Sequence, residues 1–454
     1  HDNFFHLGGH SLLVIHLISA LQSRQLSFDV ASFFRSASLH ALAQLIDQAE
    51  GTPADRVADS LIPLGCERIT PDLLPLVSLT QQHIDQLVAS LPGGAANVQD
   101  IYPLGPLQQG LLYHHMLSRE EHGDPYFQPS VLLMDSVASA EHFIQALKRV
   151  AARHDVLRTA IFWQGLEEPV QLVLRHVDLE VNWVELSAEQ EAQAQIQERI
   201  TSARLWRPLT QAPLWQLEVA ADPHTQRAFV IIYFHHIIND NIGREILLNE
   251  ISAYMDQENP VLATPTPYRE YIAYTQRLRH GGASESYFRA RLGDLSEPTV
   301  PFGLTNTQVL AKQIVEARAS FSPFVSKQIR AQCEALAVSP ASFFHLVWAM
   351  VVGRCSGQQD VVFGTVLSGR LNATGMGAHA LGLFINTLPL RLSLQGSIAQ
   401  QLTATHAQLR ALMSHECTPL NLVRECTNLP SQAPLFTSLL NYTFDPDFAR
   451  QRPP

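Results

Sequence analysis

The stretch that most constrains this chain is an apolar run, Ala228-Phe229-Val230-Ile231-Ile232-Tyr233, closed by Phe234-His235-His236-Ile237-Ile238-Asn239-Asp240. The run predicts a buried strand, and two histidines and an aspartate at its end are costly to bury without partners. Successive side chains on a strand point to opposite faces, so His235 and His236 cannot both look into one cavity. One can act as a base while the other is held in the scaffold. Beyond Asp240 the spacing turns helical, with Ile242, Ile246, Leu247 and Ile251 on one face. The histidines therefore fall at a strand-to-helix transition, a position that suits a catalytic group. Ordinary hydrogen-bonded structure accounts for them equally well, and Asp240 is also placed to cap the helix that follows. No metal is expected, because adjacent histidines point apart and no third ligand lies nearby in sequence.

At 454 residues the chain has material for about two to four domains and large cores. Lysine and arginine total 31 against 42 acidic residues, a net charge of −11, and no basic patch dominates. Nucleic acid is therefore not expected as a partner. No run approaches the ~20 apolar residues of a membrane helix and no signal peptide opens the chain, so no membrane partner is expected. The five cysteines are scattered without CxxC pairs. They read as reduced thiols of a cytoplasmic protein.

The chain opens at His1 without an initiator Met, as expected of a fragment of a longer protein. Gly8-Gly9 predict a flexible turn, and Ser11 stands at the head of a helix bearing Leu12, Ile15, Leu17, Ile18 and Leu21. A serine there is ordinarily a helix cap, yet free backbone N–H groups make the same place suit a phosphate. Residues 50–67 carry Gly51, Pro53, Pro63 and Gly65 with little periodicity, and read as a linker. From about Arg68, β-rich runs at 131–134, 169–174, 228–234 and 361–366 alternate with amphipathic helices at 140–153, 188–203, 341–355 and 397–413. That mixture predicts an α+β fold in two lobes.

The string Asp2-Asn3-Phe4-Phe5-His6-Leu7-Gly8-Gly9-His10-Ser11 resembles the attachment site of peptidyl carrier (thiolation) domains from nonribosomal peptide synthetases. The resemblance implies a 4′-phosphopantetheine arm on Ser11. It also implies that residues 1–49 are the C-terminal part of a small helical-bundle carrier, followed by the linker at 50–67. His235, His236 and Asp240 fit the HHxxxD pattern of chloramphenicol acetyltransferase-like acyltransferases, to which nonribosomal condensation domains belong. Tyr102-Pro103-Leu104-Gly105-Pro106-Leu107-Gln108-Gln109-Gly110-Leu111-Leu112 resembles the first core motif of condensation domains. Arg153-His154-Asp155-Val156-Leu157-Arg158-Thr159 and Leu381-Gly382-Leu383-Phe384-Ile385-Asn386-Thr387-Leu388-Pro389 resemble two later ones. Residues 68–454 are thus expected to be a two-lobed condensation domain, stopping short of the usual end of such a domain. Implied partners are a downstream aminoacyl carrier domain, an upstream adenylation domain and a phosphopantetheinyl transferase.

Within that family the form Pro106-Leu107-Gln108-Gln109-Gly110-Leu111-Leu112-Tyr113-His114 resembles domains that take D-configured donors and the dual epimerization/condensation class. The dual class carries an extra HH[I/L]xxxxGD motif. Here His114-His115-Met116 is followed, after a longer spacer, by Gly123-Asp124. The lead-in Arg68-Ile69-Thr70-Pro71-Asp72-Leu73-Leu74-Pro75-Leu76 and Asp240-Asn241 in place of Asp-Gly point the same way. So does the carrier's Gly8-Gly9-His10-Ser11, since carriers paired with a separate epimerase usually read GGDS. By resemblance His236 orients the acceptor amine or takes its proton, and His235 is structural. Asp240 is a buried aspartate expected to pair with Arg370, and Asn386 to help fix substrate or histidine. His114 and His115 are expected to position substrate, to serve as a second acid/base, or only to give a polar lining. The alternatives are a plain condensation domain without epimerase activity and a noncatalytic recruitment domain.

Overall fold

The run expected as a strand is one, Ala228–His235, in a computed structural model of the chain. The structure describes residues 60–117, 123–202, 205–305, 315–370 and 380–443, with Leu17, Leu21, His40, Ala43 and Gln44 singly. The carrier motif with Ser11, and the linker up to residue 59, lie outside the described residues. By its backbone contacts the chain divides into two units. From residue 60 on, the described residues of one fall within 60–276 and 380–384, and those of the other within 277–370 and 385–443.

The first unit runs α1 (Gln81–Ala89), β1 (Val98–Pro103), α2 (Pro106–Leu117), β2 (Phe127–Met134), α3 (Val137–Arg153), β3 (Thr159–Phe162), β4 (Val170–Leu174), β5 (Val181–Val184), α4 (Ala192–Ser202), β6 (Trp215–Ala221), β7 (Ala228–His235), α5 (Asn241–Asp256) and α6 (Tyr268–His280). Its strands form two sheets, β1-β4-β3 and β2-β7-β6-β5. Strand β7 lies inside the four-stranded sheet, antiparallel to both β2 and β6. Its residues are buried on both faces of the sheet, which is why its sequence is a nearly unbroken apolar run. Phe229, Ile231 and Tyr233 pack with Ala192 and Ile196 of α4. Helix α3 buries Ala140, Phe143, Ile144, Leu147, Val150 and Ala151, the rhythm of one helical face. Ser136 caps it by accepting the Ser139 N–H, a contact of the kind that contributes about 1 kcal/mol.

Three boundaries differ from expectation, each for a local reason. The strand expected at 131–134 begins at Phe127, because β2 is a sheet edge where Pro129 removes no ladder donor that matters. The helix expected at 188–203 begins at Ala192. There the Gln195 side chain binds the backbone of Ser187 and the carbonyl of Gln190, holding the preceding residues in a turn. In the stretch expected as linker, Ile62 and Cys66 are buried in one apolar cluster with Ile69, Leu74 and Ile101. The turn formers of residues 60–67 therefore shape a segment packed onto this unit.

The second unit contains α7 (Ala283–Leu292), α8 (Pro323–Ala335), α9 (Pro340–Ser356), β8 (Asp360–Leu367), β9 (Asn386–Ser393), α10 (Ile398–Met413), α11 (Leu420–Glu425) and β10 (Leu439–Leu440). Its sheet has the order β10-β8-β9, and Val361, Phe363, Leu388, Leu390, Leu409 and Leu412 lie in its core. Ser397 and Gln400 form a reciprocal capping box at the start of α10. The strand expected at 361–366 and the helices expected at 341–355 and 397–413 are present as β8, α9 and α10. The α+β expectation holds. Among the described residues no single helix is long and apolar enough to cross a membrane.

Candidate active site

Strand β7 ends at His235, and His236–Ile238 turn once as a 3-10 helix before α5 begins. Phe234 and His236 are half-buried, whereas Tyr233 and His235 are each 1% exposed. The two histidines thus face opposite ways, as strand alternation requires. Asp240 closes the turn: its Oδ1 accepts the Gly243 N–H at 2.8 Å as the cap of α5, and its Oδ2 accepts the Phe384 N–H at 3.1 Å.

The hydrogen bonds fix both histidine tautomers. His236 Nδ1 lies 2.6 Å from the Asn239 carbonyl oxygen. A carbonyl only accepts, so Nδ1 carries the proton, and in the neutral ring Nε2 keeps its lone pair. His236 is therefore a half-exposed imidazole with its basic nitrogen directed away from the backbone that holds it. His235 is the reverse case. Its Nδ1 accepts the Ile237 N–H at 3.0 Å, so its proton sits on Nε2, which donates to Asp124 Oδ2 at 3.1 Å. Burial holds its pKa below the ordinary histidine value, against the opposing pull of Asp124. A neutral, buried ring with both nitrogens engaged is scaffold.

Asp124 is the centre of that scaffold. Its Oδ2 also accepts His115 Nδ1–H at 2.6 Å, and its Oδ1 accepts the Tyr126 N–H at 2.9 Å. Burial acts to raise its pKa, but the hydrogen bonds from His115 and His235 outweigh this and hold it well below the usual carboxylate range. The Tyr126 carbonyl in turn accepts the His236 N–H at 2.7 Å.

The ligand atoms of His115, Asp124 and His235 lie within 4.8 Å of one another, a set that could hold a cation. The fold thus supplies neighbours that the sequence did not reveal, and the expectation of no nearby third ligand is corrected. The chemistry still weighs against a metal. A ligand nitrogen must offer a lone pair, and His235 Nε2 bears the proton that Nδ1 cannot carry while it accepts from Ile237.

Gln108, fully buried on α2, was not singled out from sequence. Its Nε2 donates to the Ile237 carbonyl at 2.8 Å, while its Oε1 accepts from Gly105 N–H and Gln171 Nε2. Gln108 and His115 are seven residues apart, so they share one face of α2 about 10 Å apart. That face, with Leu111 and Leu112 buried between them, holds the histidine turn directly through Gln108 and by way of Asp124 through His115. The spacing was visible in the sequence; the partner was not.

The remaining expected residues lie on α2 and in the second unit. His114 lies on the exposed side of α2, its ring 5.7 Å from that of Tyr126. His115 is 4% exposed and bonded to Asp124. Asn386 belongs to the second unit, where both its amide protons go to backbone, to the carbonyls of Glu416 and Thr418. These bonds tie the start of β9 to the backbone around Glu416 and Thr418. Arg370 is buried at 2% exposure, also in the second unit.

The family model for the condensation domain matches residues 98–451, and the chain belongs to that family. A model for the phosphopantetheine attachment site matches residues 1–46, so the chain also carries an attachment site for covalent 4′-phosphopantetheine. Malpinin synthetase of Mortierella alpina is 40% identical over 444 residues, covering 97% of this chain and 6% of that protein. Malpibaldin synthetase of the same organism is 36% identical, covering 97% and 8%. The chain therefore spans only a small part of the curated relatives it matches. Among solved structures, the starter condensation domain of rhizomide synthetase matches with a TM-score of 0.62 at 20% identity, over 79% of this chain and 80% of that one. At that identity the likeness shows the fold.

Proposed function

We propose that this chain joins a donor acyl group, held as a thioester through phosphopantetheine on Ser11, to the amine of an aminoacyl group on a downstream carrier domain. We propose further that it first inverts the donor Cα from L to D. Residues 1–49 then act as the carrier and 68–454 as the condensation domain. An upstream adenylation domain supplies the activated amino acid, and a phosphopantetheinyl transferase installs the arm. The arm's chemistry is to present the donor as a thioester, whose carbonyl is open to the amine.

The observation that carries this reading is the His236 Nδ1–H bond to the Asn239 carbonyl, which leaves Nε2 unprotonated on a half-exposed ring. A base so oriented can take the proton of the attacking amine, a role that contributes about 10²–10⁴-fold to a rate. Holding donor and acceptor together contributes further, because a bimolecular step becomes effectively unimolecular. The same nitrogen suits removal of the Cα proton beside a thioester. The first-core-motif form, the Gly8-Gly9-His10-Ser11 carrier and the pairing of His114-His115 with Gly123-Asp124 in sequence support the dual reading.

The test loads Ser11 with an L-aminoacyl or L-peptidyl donor and incubates the protein in D₂O without acceptor. Mass spectrometry of the released donor reports deuterium at Cα, and chiral analysis its configuration. Deuterium and D-product that disappear in His236→Ala are expected. Condensation without exchange leaves a plain condensation domain, and docking without either reaction leaves a recruitment domain.

A further inference from the structure

His115 and Asp124 contact no exposed surface, yet they are bonded to the residue beside the base. Asp124 Oδ2 takes a hydrogen bond from His115 Nδ1 at 2.6 Å and from His235 Nε2 at 3.1 Å, and all three residues are at most 4% exposed. Trp206 stacks on the His115 ring and Trp163 stands edge-on to it, so its orientation is fixed by packing as well. A carboxylate buried this deeply is unfavourable unless it is fully hydrogen-bonded, and apolar residues of similar volume would brace the turn with less penalty. The polar set is therefore informative about what it holds in place.

What it holds is a proton. With Asp124 accepting, His235 keeps its proton on Nε2 and leaves Nδ1 free to accept the Ile237 N–H. In the other tautomer two donors, His235 Nδ1–H and Ile237 N–H, would face each other. The turn would have to open, and His236 lies in it. The segment from Asp124 acts a second time through the Tyr126 carbonyl, which accepts the His236 N–H.

We propose that His115 and Asp124 are positioning residues for amide formation: they lock His235 in its Nε2–H form, and His235 locks the turn that aims His236. This rests on His236 being the base. Neither residue touches substrate, and neither serves as a second acid/base.

The experiment measures condensation kinetics of the holo chain with a loaded donor and a separate aminoacyl carrier, for His115→Leu, His115→Asn, Asp124→Asn and His236→Ala. Leucine fills the space without a donor, whereas the asparagine amide stands where Nδ1 stands. His115→Leu and Asp124→Asn are expected to lower kcat by up to about 100-fold, the scale of a small misplacement of a reacting group. KM for the acceptor carrier should stay within about 2-fold, and His115→Asn should recover most of the rate. With ¹⁵N-histidine labelling, the His235 signal should report Nε2–H in the parent and a shift toward Nδ1–H in Asp124→Asn. Full kcat in His115→Leu beside an inactive His236→Ala overturns the proposal alone. So does an unaltered His235 tautomer in both His115→Leu and Asp124→Asn. A fully active His236→Ala overturns the base reading and the proposal with it.

Discussion

His236 Nδ1 stands 2.6 Å from the carbonyl oxygen of Asn239, three residues on in the same turn. One short contact thus decides which nitrogen of the imidazole is basic. The backbone that closes the strand-to-helix junction also sets the tautomer of the base.

Replacing His236 by alanine should lower the rate of amide formation about 10²–10⁴-fold and leave the fold intact. His235→Ala should act differently. It takes one donor from the buried Asp124 carboxylate, and losing one partner of a buried charge typically costs about 3–5 kcal/mol. Product formation on the acceptor carrier, followed by intact-protein mass spectrometry, and urea unfolding separate the two. A stable, inactive His235→Ala beside an active His236→Ala would reverse the assignment.

The local parts of this site were legible in the sequence and the long-range parts were not. The apolar run, the paired histidines and the helical spacing after Asp240 all fall within residues 228–251, so strand β7, the junction and α5 could be read directly. His115 and Asp124 stood out only as a pair. Their third member, His235, is 111 residues beyond Asp124 and reaches it through the register of β2 with β7, in which Phe127 lies opposite His235. Gln108 and Gln171 meet across 63 residues in the same manner. The motif named Asn386 without naming the carbonyls of Glu416 and Thr418 that its amide binds, 30 and 32 residues on.

Gly243→Ala offers a test in which two effects oppose each other. In a helix interior alanine is favoured over glycine by up to about 1 kcal/mol. Here its Cβ would stand 2.2 Å from Asn239 Oδ1, closer than any atom tolerates. The Asn239 side chain must move, and the Asn239 carbonyl is what holds His236. The rate of condensation should fall about 10- to 100-fold with only a modest change in Tm. An unimpaired rate would mean that Asn239 yields without disturbing the base.

Asp240→Ala should cost structure before chemistry. It removes the cap of α5, worth about 1 kcal/mol, and leaves the buried Phe384 N–H without its carboxylate, a further penalty of about 1–3 kcal/mol. A loss of about 2–4 kcal/mol in urea unfolding, at unchanged m-value, is the expected result. A change within about 0.5 kcal/mol, the range of ordinary surface substitutions, would show that Asp240 carries no such part.

The buried Asp100 should make stability fall with rising pH over a window where carboxylates usually do the opposite. Burial raises its pKa from 3.8 to about 6, outweighing the Arg269 guanidinium that donates to it at 2.6 Å. Between these two values the folded chain binds more protons at this site than the unfolded chain does. The Asp100 contribution is therefore largest below about pH 4 and is lost as pH climbs through 6, by about 3 kcal/mol in all. Asp124 and Glu218, whose pKa values are lowered, have the opposite sign and contribute stability that is lost on acidification. Subtracting the unfolding free energy of Asp100→Asn from that of the parent removes those common contributions, leaving the Asp100 slope. The difference should shrink by about 2.4 kcal/mol from pH 4 to pH 7. A flat difference would mean that Asp100 titrates as an ordinary carboxylate, and a growing one that Arg269 outweighs burial.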